Sequence, residues 1–261
     1  MSIVNFQNQV SSTIYVYGLH TSDSVINTIT SSISSVLKDV KVSAKPEKHG
    51  DHVTKIELGG GWSSDGNIFL KGSTFNSSAR GKIMLNTLIA NLLNRHAYRP
   101  AYSTDLSRYN DRCTIYFEKM SDAELSTRAE IACLTLSGHE KLQLTCQKHN
   151  FDQLLASLEA ISREHVKKGW KTKEPHNFEN EWMVAELDLN WNCWGHSASS
   201  EGKVVGRLLV SRLLFHFGRQ HGWNFVFNGN IKDTADYIWF AKGIDVDTIL
   251  PEGFIPLAGK P

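Results

Sequence analysis

The feature that most constrains this chain is that it aligns with itself. A shift of 129 residues brings His20 onto His149, Asp23 onto Asp152, Pro46 onto Pro175, Glu57 onto Glu186, Leu58 onto Leu187 and Trp62 onto Trp191, with no gap between the first pair and the last. A shift of 125 then pairs Lys82 with Arg207, Leu88 with Leu213, His96 with His221 and Asp111 with Asp236. A shift of 123 sets IYFEK (115–119) on IWFAK (238–242). The identities are sparse, but they keep their order and their place in the pattern of elements. At 261 residues the chain has room for one large domain or two of about 130 residues. The repeat favours two: a first unit over 1–120, a polar linker over 121–130, and a second unit over 131–261.

Hydrophobic periodicity gives the same succession of elements in each unit. TIYVYG (13–18) alternates as a strand does. Asp23 is placed to cap a helix that carries Val25, Ile26, Ile29, Ile33, Val36 and Leu37 at helical spacing. VKVSA (40–44) and HVTKIEL (52–58) read as strands, ARGKIMLNTLIANLLNRH (79–96) as an amphipathic helix, and YRPAYST with CTIYFEK as a closing hairpin. The second unit repeats this with KLQLTCQ, a helix from Asp152 through Leu154, Leu155, Leu158, Ile161 and Val166, the strand EWMVAELDL, the helix EGKVVGRLLVSRLLFHFGRQH, and the strands WNFVFNG and DYIWFAKG. EIACLTLSG enters it as an extra strand, and ILPEGFIPLAGKP leaves it as an irregular tail.

The predicted fold is therefore α+β, a tandem internal duplication of a split β-α-β-β-α-β (ferredoxin-like) unit with an added strand. Such a unit carries its helices on one sheet face and leaves the other bare. Two copies are expected to cover those faces by packing with pseudo-two-fold symmetry, as a homodimer does.

Composition excludes several classes of function. Hydrophobic residues are 41%, charged residues 21%, and the net charge is +1, so there is no polybasic face for nucleic acid and no membrane-surface helix. Apolar runs fall short of the roughly 18 residues a spanning helix needs. The opening MSIVNFQNQVSSTIYVYG has no basic segment followed by an apolar one, so a secretory signal is not expected and the protein is placed in the cytoplasm. Cys113, Cys133, Cys146 and Cys193 show no C-x-x-C spacing and are expected as reduced thiols, with Cys193 alone beside a loop.

WGHSASSEGKVVGR (194–207) imitates two active-site motifs. A nucleophile elbow needs G-x-S-x-G, tight between strand and helix. Gly195, His196 and Ser197 fit, but Ser199 stands where the second glycine gives the backbone room. A Walker loop needs four residues between its glycines and a hydroxyl after its lysine. Here six separate Gly195 from Gly202, and Val204 follows Lys203. What remains is helix-capping chemistry at Ser199 or Ser200, and a helix start whose amides, with Lys203, suit an anion. NSSARGK (76–82) is the counterpart in the first unit.

The other candidates are weighed in the same way. HGDH (49–52) lacks a third ligand within reach in sequence, so no metal is expected. His96 and His221, near helix C-termini, suit the helix dipole as cations, and His20 and His149 help to close the turn before an Asp cap. Glu57 and Glu186 lie on central strands, where burial would make a general acid or base and exposure would make an ion pair with a neighbouring strand. Trp182, Trp191 and Trp194 are grouped around the second loop, with Trp62 the counterpart of Trp191, and exposed indoles there suit stacking on a ligand. Trp223 and Trp239 read as core.

Two functional readings follow, beside a third in which the protein is purely structural or self-assembling and neither loop has a pocket. The first is a soluble intracellular binding protein without cofactor, its ligand or partner site at the loops before the second helix of each unit. Trp62, Trp191, Trp194, Ser199, Ser200, Gly202 and Lys203 line that site, and an anionic or aromatic small molecule suits it, with a protein ligand as the other possibility. The alternative is a cofactor-independent enzyme of hydrolase or lyase type that uses Glu186, His196 or Ser197 in one unit.

Overall fold

The computed structural model describes residues 2–9, 11–18, 22–38, 40–46, 53–59, 79–104, 113–121, 128–137, 141–163, 166–173, 181–189, 199–232 and 235–244. The first part of the chain contributes β1 (Ser2–Gln9), β2 (Ser11–Tyr17), α1 (Asp23–Val36), β3 (Lys41–Pro46), β4 (Val53–Gly59), α2 (Ala79–His96), β5 (Tyr98–Thr104) and β6 (Cys113–Lys119). The second contributes β7 (Glu130–Ser137), β8 (Lys141–Gln147), α3 (Lys148–Ser162), β9 (Val166–Lys173), β10 (Trp182–Leu189), α4 (Ser200–His221), β11 (Asn224–Lys232) and β12 (Ala235–Lys242). The protein is a mixed α+β structure with two six-stranded sheets, ordered β3-β4-β2-β1-β6-β5 and β9-β10-β8-β7-β12-β11. Neighbouring strands in both are antiparallel.

Local signals set most boundaries, and four of them differ from expectation. β1 was not anticipated: its polar sequence hides a strand that pairs with both β2 and β6, so an entering strand is present in both sheets. α1 is capped by Ser22, whose Oγ accepts from the Val25 amide, and Asp23 is its first helical residue. α3 begins at Lys148 without a side-chain cap, which puts Asp152 inside the helix. Val166 starts β9 and is not part of α3.

α2 departs furthest from its sequence pattern. Lys82, Ile83, Met84, Leu85 and Asn86 are five consecutive residues with about 1% exposure or less, which an amphipathic surface helix cannot have. The helix is covered on two sides. One side shares a core with Ile14, Val16, Ile56, Leu58, Ile115 and Phe117 of the first sheet. The other side is a stripe at four-residue spacing, Lys82, Asn86, Ala90 and Asn94, which meets the second sheet. Trp239 Nε1 donates to Asn86 Oδ1 at 2.8 Å, and the Asn94 amide exchanges two hydrogen bonds with the backbone of Ala129, at 2.7 and 2.9 Å.

The second sheet is thus covered on both faces. Ile131, Cys133, Trp182, Val184, Tyr237 and Trp239 belong to the core around α1 and α2. Leu142, Leu144, Ala185, Leu187, Ile238 and Phe240 pack with α3 and α4. The layers run first sheet, α1 and α2, second sheet, α3 and α4. This corrects the expected two-fold packing. A two-fold axis brings like surfaces together, whereas here the helices of one layer cover the bare face of the next sheet. Where no helix intervenes the sheets converge, and β11 lies against β5.

Each helix layer is closed by a similar hydrogen bond: Thr28 Oγ1 to His96 Nε2 at 2.8 Å, and Ser157 Oγ to His221 Nε2 at 2.6 Å. The histidines therefore join paired helices and do not serve as cations for the helix ends. Burial, then neighbouring positive groups, holds both below the ordinary imidazole range. His149 lies in the first turn of α3 and bonds Glu130 Oε1 at 2.8 Å, so it ties that turn to β7.

Two outcomes are expected from this packing. Asn86→Ala, which strands the buried Trp239 N–H, should cost about 1–3 kcal/mol in urea unfolding, and most of that cost should vanish in a Trp239→Phe background. The lowered pKa values of His96 and His221 make their neutral forms the native ones. Their contribution to stability is complete above the unfolded value of 6.5 and is lost as pH falls through the lower folded values. Melting temperature should decline from pH 7.5 to 5.5, and the double variant His96→Gln, His221→Gln should flatten that decline.

Candidate functional site

Between α2 and the second sheet runs a seam that is unusually polar for a covered surface. It follows from alternation along β8: Leu142, Leu144 and Cys146 face α3 and α4, so Lys141, Gln143, Thr145 and Gln147 face α2. Strand pairing sets Glu186, Gln143, Thr135 and Tyr237 side by side in one row. The next row is Val184, Thr145, Cys133 and Trp239.

α2 is tied near Ala129 by Asn94 and at Trp239 by Asn86, so it runs antiparallel to β7. One turn further on, Lys82 is buried on the same side of the helix, within electrostatic reach of Cys133. Its ammonium acts on the Cys133 thiol from that position, although burial dominates and pushes the thiol pKa up to about 12. Cys146 is raised by burial as well. Both thiols are free and buried, which makes them poor nucleophiles.

Among the described residues, Glu186 is the one predicted site residue that the seam contains. It is buried, with Lys141 Nζ 3.1 Å from Oε1 and Gln143 Nε2 donating to Oε2. Glu57, its counterpart by alignment, holds the same place on β4 but faces outward. That side chain is 38% exposed, and Lys55 Nζ at 2.9 Å and Lys45 Nζ at 3.4 Å lower its pKa. The two carboxylates differ in cover: Glu186 lies buried on the inner face of the second sheet, whereas Glu57 is on the outward face of the first. Along the seam, the buried atoms Gln143 Oε1, Thr145 Oγ1, Gln147 Oε1 and Asn86 Nδ2 make no hydrogen bond among the described residues, a state that costs stability and calls for an explanation.

The seam has a defined end. β10 leaves it at Leu189, three residues after Glu186, and leads into segment 190–198. α2 enters it from segment 60–78, with Lys82 in its first turn. Trp62, Trp191, Trp194, His196, Ser197 and Cys193 fall in those segments and lie outside the described residues, as do His20, His49, His52 and the tail from 245. Trp182 does not belong to that group. It is buried at the opposite end of β10, roughly 23 Å from Leu189 at the rise of an extended strand. Trp223 and Trp239 are core, as expected.

At the start of α4, Ser199 is the cap. Its Oγ accepts from the Gly202 amide at 3.0 Å and its carbonyl from the Lys203 amide at 3.0 Å. Those two amides are engaged, so an anion here would rely on the amides of Ser200 and Glu201 and on the exposed Lys203 ammonium. Among the described residues no group of His, Cys, Asp and Glu is arranged to hold a metal, and no helix is long and apolar enough to cross a membrane.

Sequence reasoning missed Lys141, Gln143 and Asn86. The signal was present, since β8 alternates polar and apolar residues, but period-two polarity ordinarily means solvent. Removing one partner of a buried carboxylate is costly, while exposed pairs contribute little. Lys141→Met should therefore lower stability by about 2 kcal/mol and Lys45→Met, at the matching outward pair, by less than about 0.5 kcal/mol. Urea unfolding of the two variants measures the difference.

Compared with known proteins, the chain matches no protein-family model and no curated protein.

Proposed function

We propose that this protein is a soluble cytoplasmic binding protein built by tandem duplication, with units 1–120 and 131–261 joined by linker 121–130. The identical strand orders support the duplication. So do the paired bonds Thr28–His96 and Ser157–His221, whose members match at shifts of 129 and 125. Each unit is a split β-α-β-β-α-β core with an entering hairpin strand and a closing hairpin.

The ligand site is proposed at the end of the polar seam, between segments 60–78 and 190–198. The observation that carries this reading is the buried cluster of Glu186, Lys141 and Gln143, whose Glu186 precedes segment 190–198 by four residues, with the buried Lys82 four residues after segment 60–78. The indoles of Trp62, Trp191 and Trp194 would stack on a flat ligand. Lys203, with the amides of Ser200 and Glu201 beyond the Ser199–Gly202 cap, would face its anionic group.

A screen of nucleotides, sugar phosphates and aromatic acids by tryptophan fluorescence tests the proposal. A hit is expected, weakened at least tenfold, about 1.4 kcal/mol, by Trp194→Ala and by Lys203→Ala. A chain that binds none of these classes by fluorescence or calorimetry contradicts it.

One observation favours the enzymatic alternative: Glu186 is buried in one unit while Glu57 is exposed in the other. In that reading Glu186 is the acid or base, and His196 and Ser197 are the other candidate groups. Stoichiometric labelling of Ser197 by a fluorophosphonate would support it. Under the binding reading Ser197 stays unlabelled.

A further inference from the structure

On the outer side of α4, Val204, Leu208 and Phe215 stand at spacings of four and seven and are 55%, 53% and 66% exposed. Beside Phe215, α3 and α4 part into a groove of about 570 Å³, lined by Ala160, Ile161, Arg163, Arg212, Phe215 and His216. An exposed Phe among apolar and arginine neighbours is the composition of a contact surface. We infer that segment 245–261 of this chain docks in that groove, with its carboxylates on the arginines and its apolar side chains over Phe215. The inference is independent of the ligand proposed above.

The groove suits an occupant that is both acidic and apolar. α4 carries Lys203, Arg207, Arg212 and Arg219 against Glu201 alone, and Arg163 follows α3. None of these cations pairs with a carboxylate among the described residues. Arg219 instead lies over the Phe215 ring at 5.4 Å, so positive charge frames the ring. Two α4 helices laid face to face would set arginine against arginine, which disfavours a second copy as the occupant. Segment 245–261, DVDTILPEGFIPLAGKP, has the complementary make-up. Asp245, Asp247 and Glu252 stand against Lys260 alone, and Ile249, Leu250, Phe254, Ile255 and Leu257 supply apolar groups. Pro251 and Pro256 restrict the backbone and so reduce the entropy lost on docking.

The segment also starts in the right place. Ile244 is buried, and its carbonyl accepts from Asn224 Nδ2 at 3.1 Å. Asn224 opens β11 just after α4 ends at His221, so the chain is fixed beside that helix end where the segment begins. At the same end Ser157 Oγ and His221 Nε2 join α3 to α4. From this bond α3 continues through Ile161 to Arg163, while α4 leads back through Phe215 to Arg212, so the groove opens along a path away from Ile244. Phe215 lies about 9 Å along the helix from His221, and extended chain from Ile244 to Phe254 spans roughly 33 Å. The reach is sufficient, and a tether this short holds the segment at an effective concentration on the order of millimolar. Asp245 and Asp247 come first and face Arg219. Glu252 follows beside Arg212 and Arg163, with Leu250 and Phe254 on either side of Phe215.

Photo-crosslinking of the full chain from benzoylphenylalanine at position 215 tests this, with circular dichroism to verify folding of each variant. At low micromolar concentration, mass spectrometry should place the adduct within residues 245–261 of the same chain. The double variant Arg163→Glu, Arg212→Glu should lower its yield at least tenfold, and adding Asp245→Lys, Asp247→Lys and Glu252→Lys should restore it. Amides of Leu250, Phe254 and Ile255 should exchange slowly in the wild-type chain and freely in Phe215→Glu. An adduct on a second copy, with a dimer mass that rises with concentration, overturns the inference, as does one that misses residues 245–261. Free exchange throughout the segment in the wild-type chain, or charge reversal that fails to restore the adduct, also overturns it. So does binding of the wild-type chain to anionic vesicles that Phe215→Glu abolishes, which assigns the helix face to a membrane.

Discussion

The structure depends on α2 being covered twice. A helix packed on one sheet needs one apolar side, whereas α2 also presents Lys82, Asn86, Ala90 and Asn94 to a second sheet. That stripe holds little hydrophobic surface, so specific hydrogen bonds define the fit: Trp239 to Asn86, and Ala129 to Asn94. The small Ala90 lets the helix approach closely, and the large groups come from the sheet, as Trp182, Tyr237 and Trp239. One hydrophobic core consequently extends across both parts of the chain.

This joint also creates the asymmetry on which function can act. Glu57 on β4 and Glu186 on β10 hold the same place in their sheets' strand orders, and what differs is the cover. Glu57 and its lysines stay in solvent, where the pair is screened. Glu186 is buried and Lys141 reaches it from a half-exposed position, so the same chemistry is stronger there and its loss more costly.

The sequence carried the elements well and the assembly poorly. Helical spacing identified α1 and α4, alternation identified β2, β4, β6, β8, β10 and β12, and the self-alignment paired Thr28 with Ser157 and His96 with His221 without showing that they bond. β1 was missed because SIVNFQNQ has few apolar residues and needs two neighbouring strands to hold it. The error on α2 is more instructive. Lys82, Asn86 and Asn94 fall on one side of the helix, and polarity on one side ordinarily means water. Here it means a partner layer rich in Thr, Gln and Trp. Periodicity reports which side of an element differs from the other, not what lies against it, so neither the head-to-tail stacking nor the role of Lys141 and Gln143 could be read from spacing.

The most direct test of the layered arrangement is amide hydrogen exchange followed residue by residue in α2 and α4. The two helices occupy corresponding places in their units, but α2 is enclosed between sheets and α4 is covered on one side. Amides of Ile83 to Leu93 should exchange at the rate of global unfolding, together with those of β7 and β12, and should be slower than amides of the exposed side of α4. If α2 and α4 exchange alike, with β7 and β12 protected independently of α2, then the second sheet does not cover α2 and the account fails.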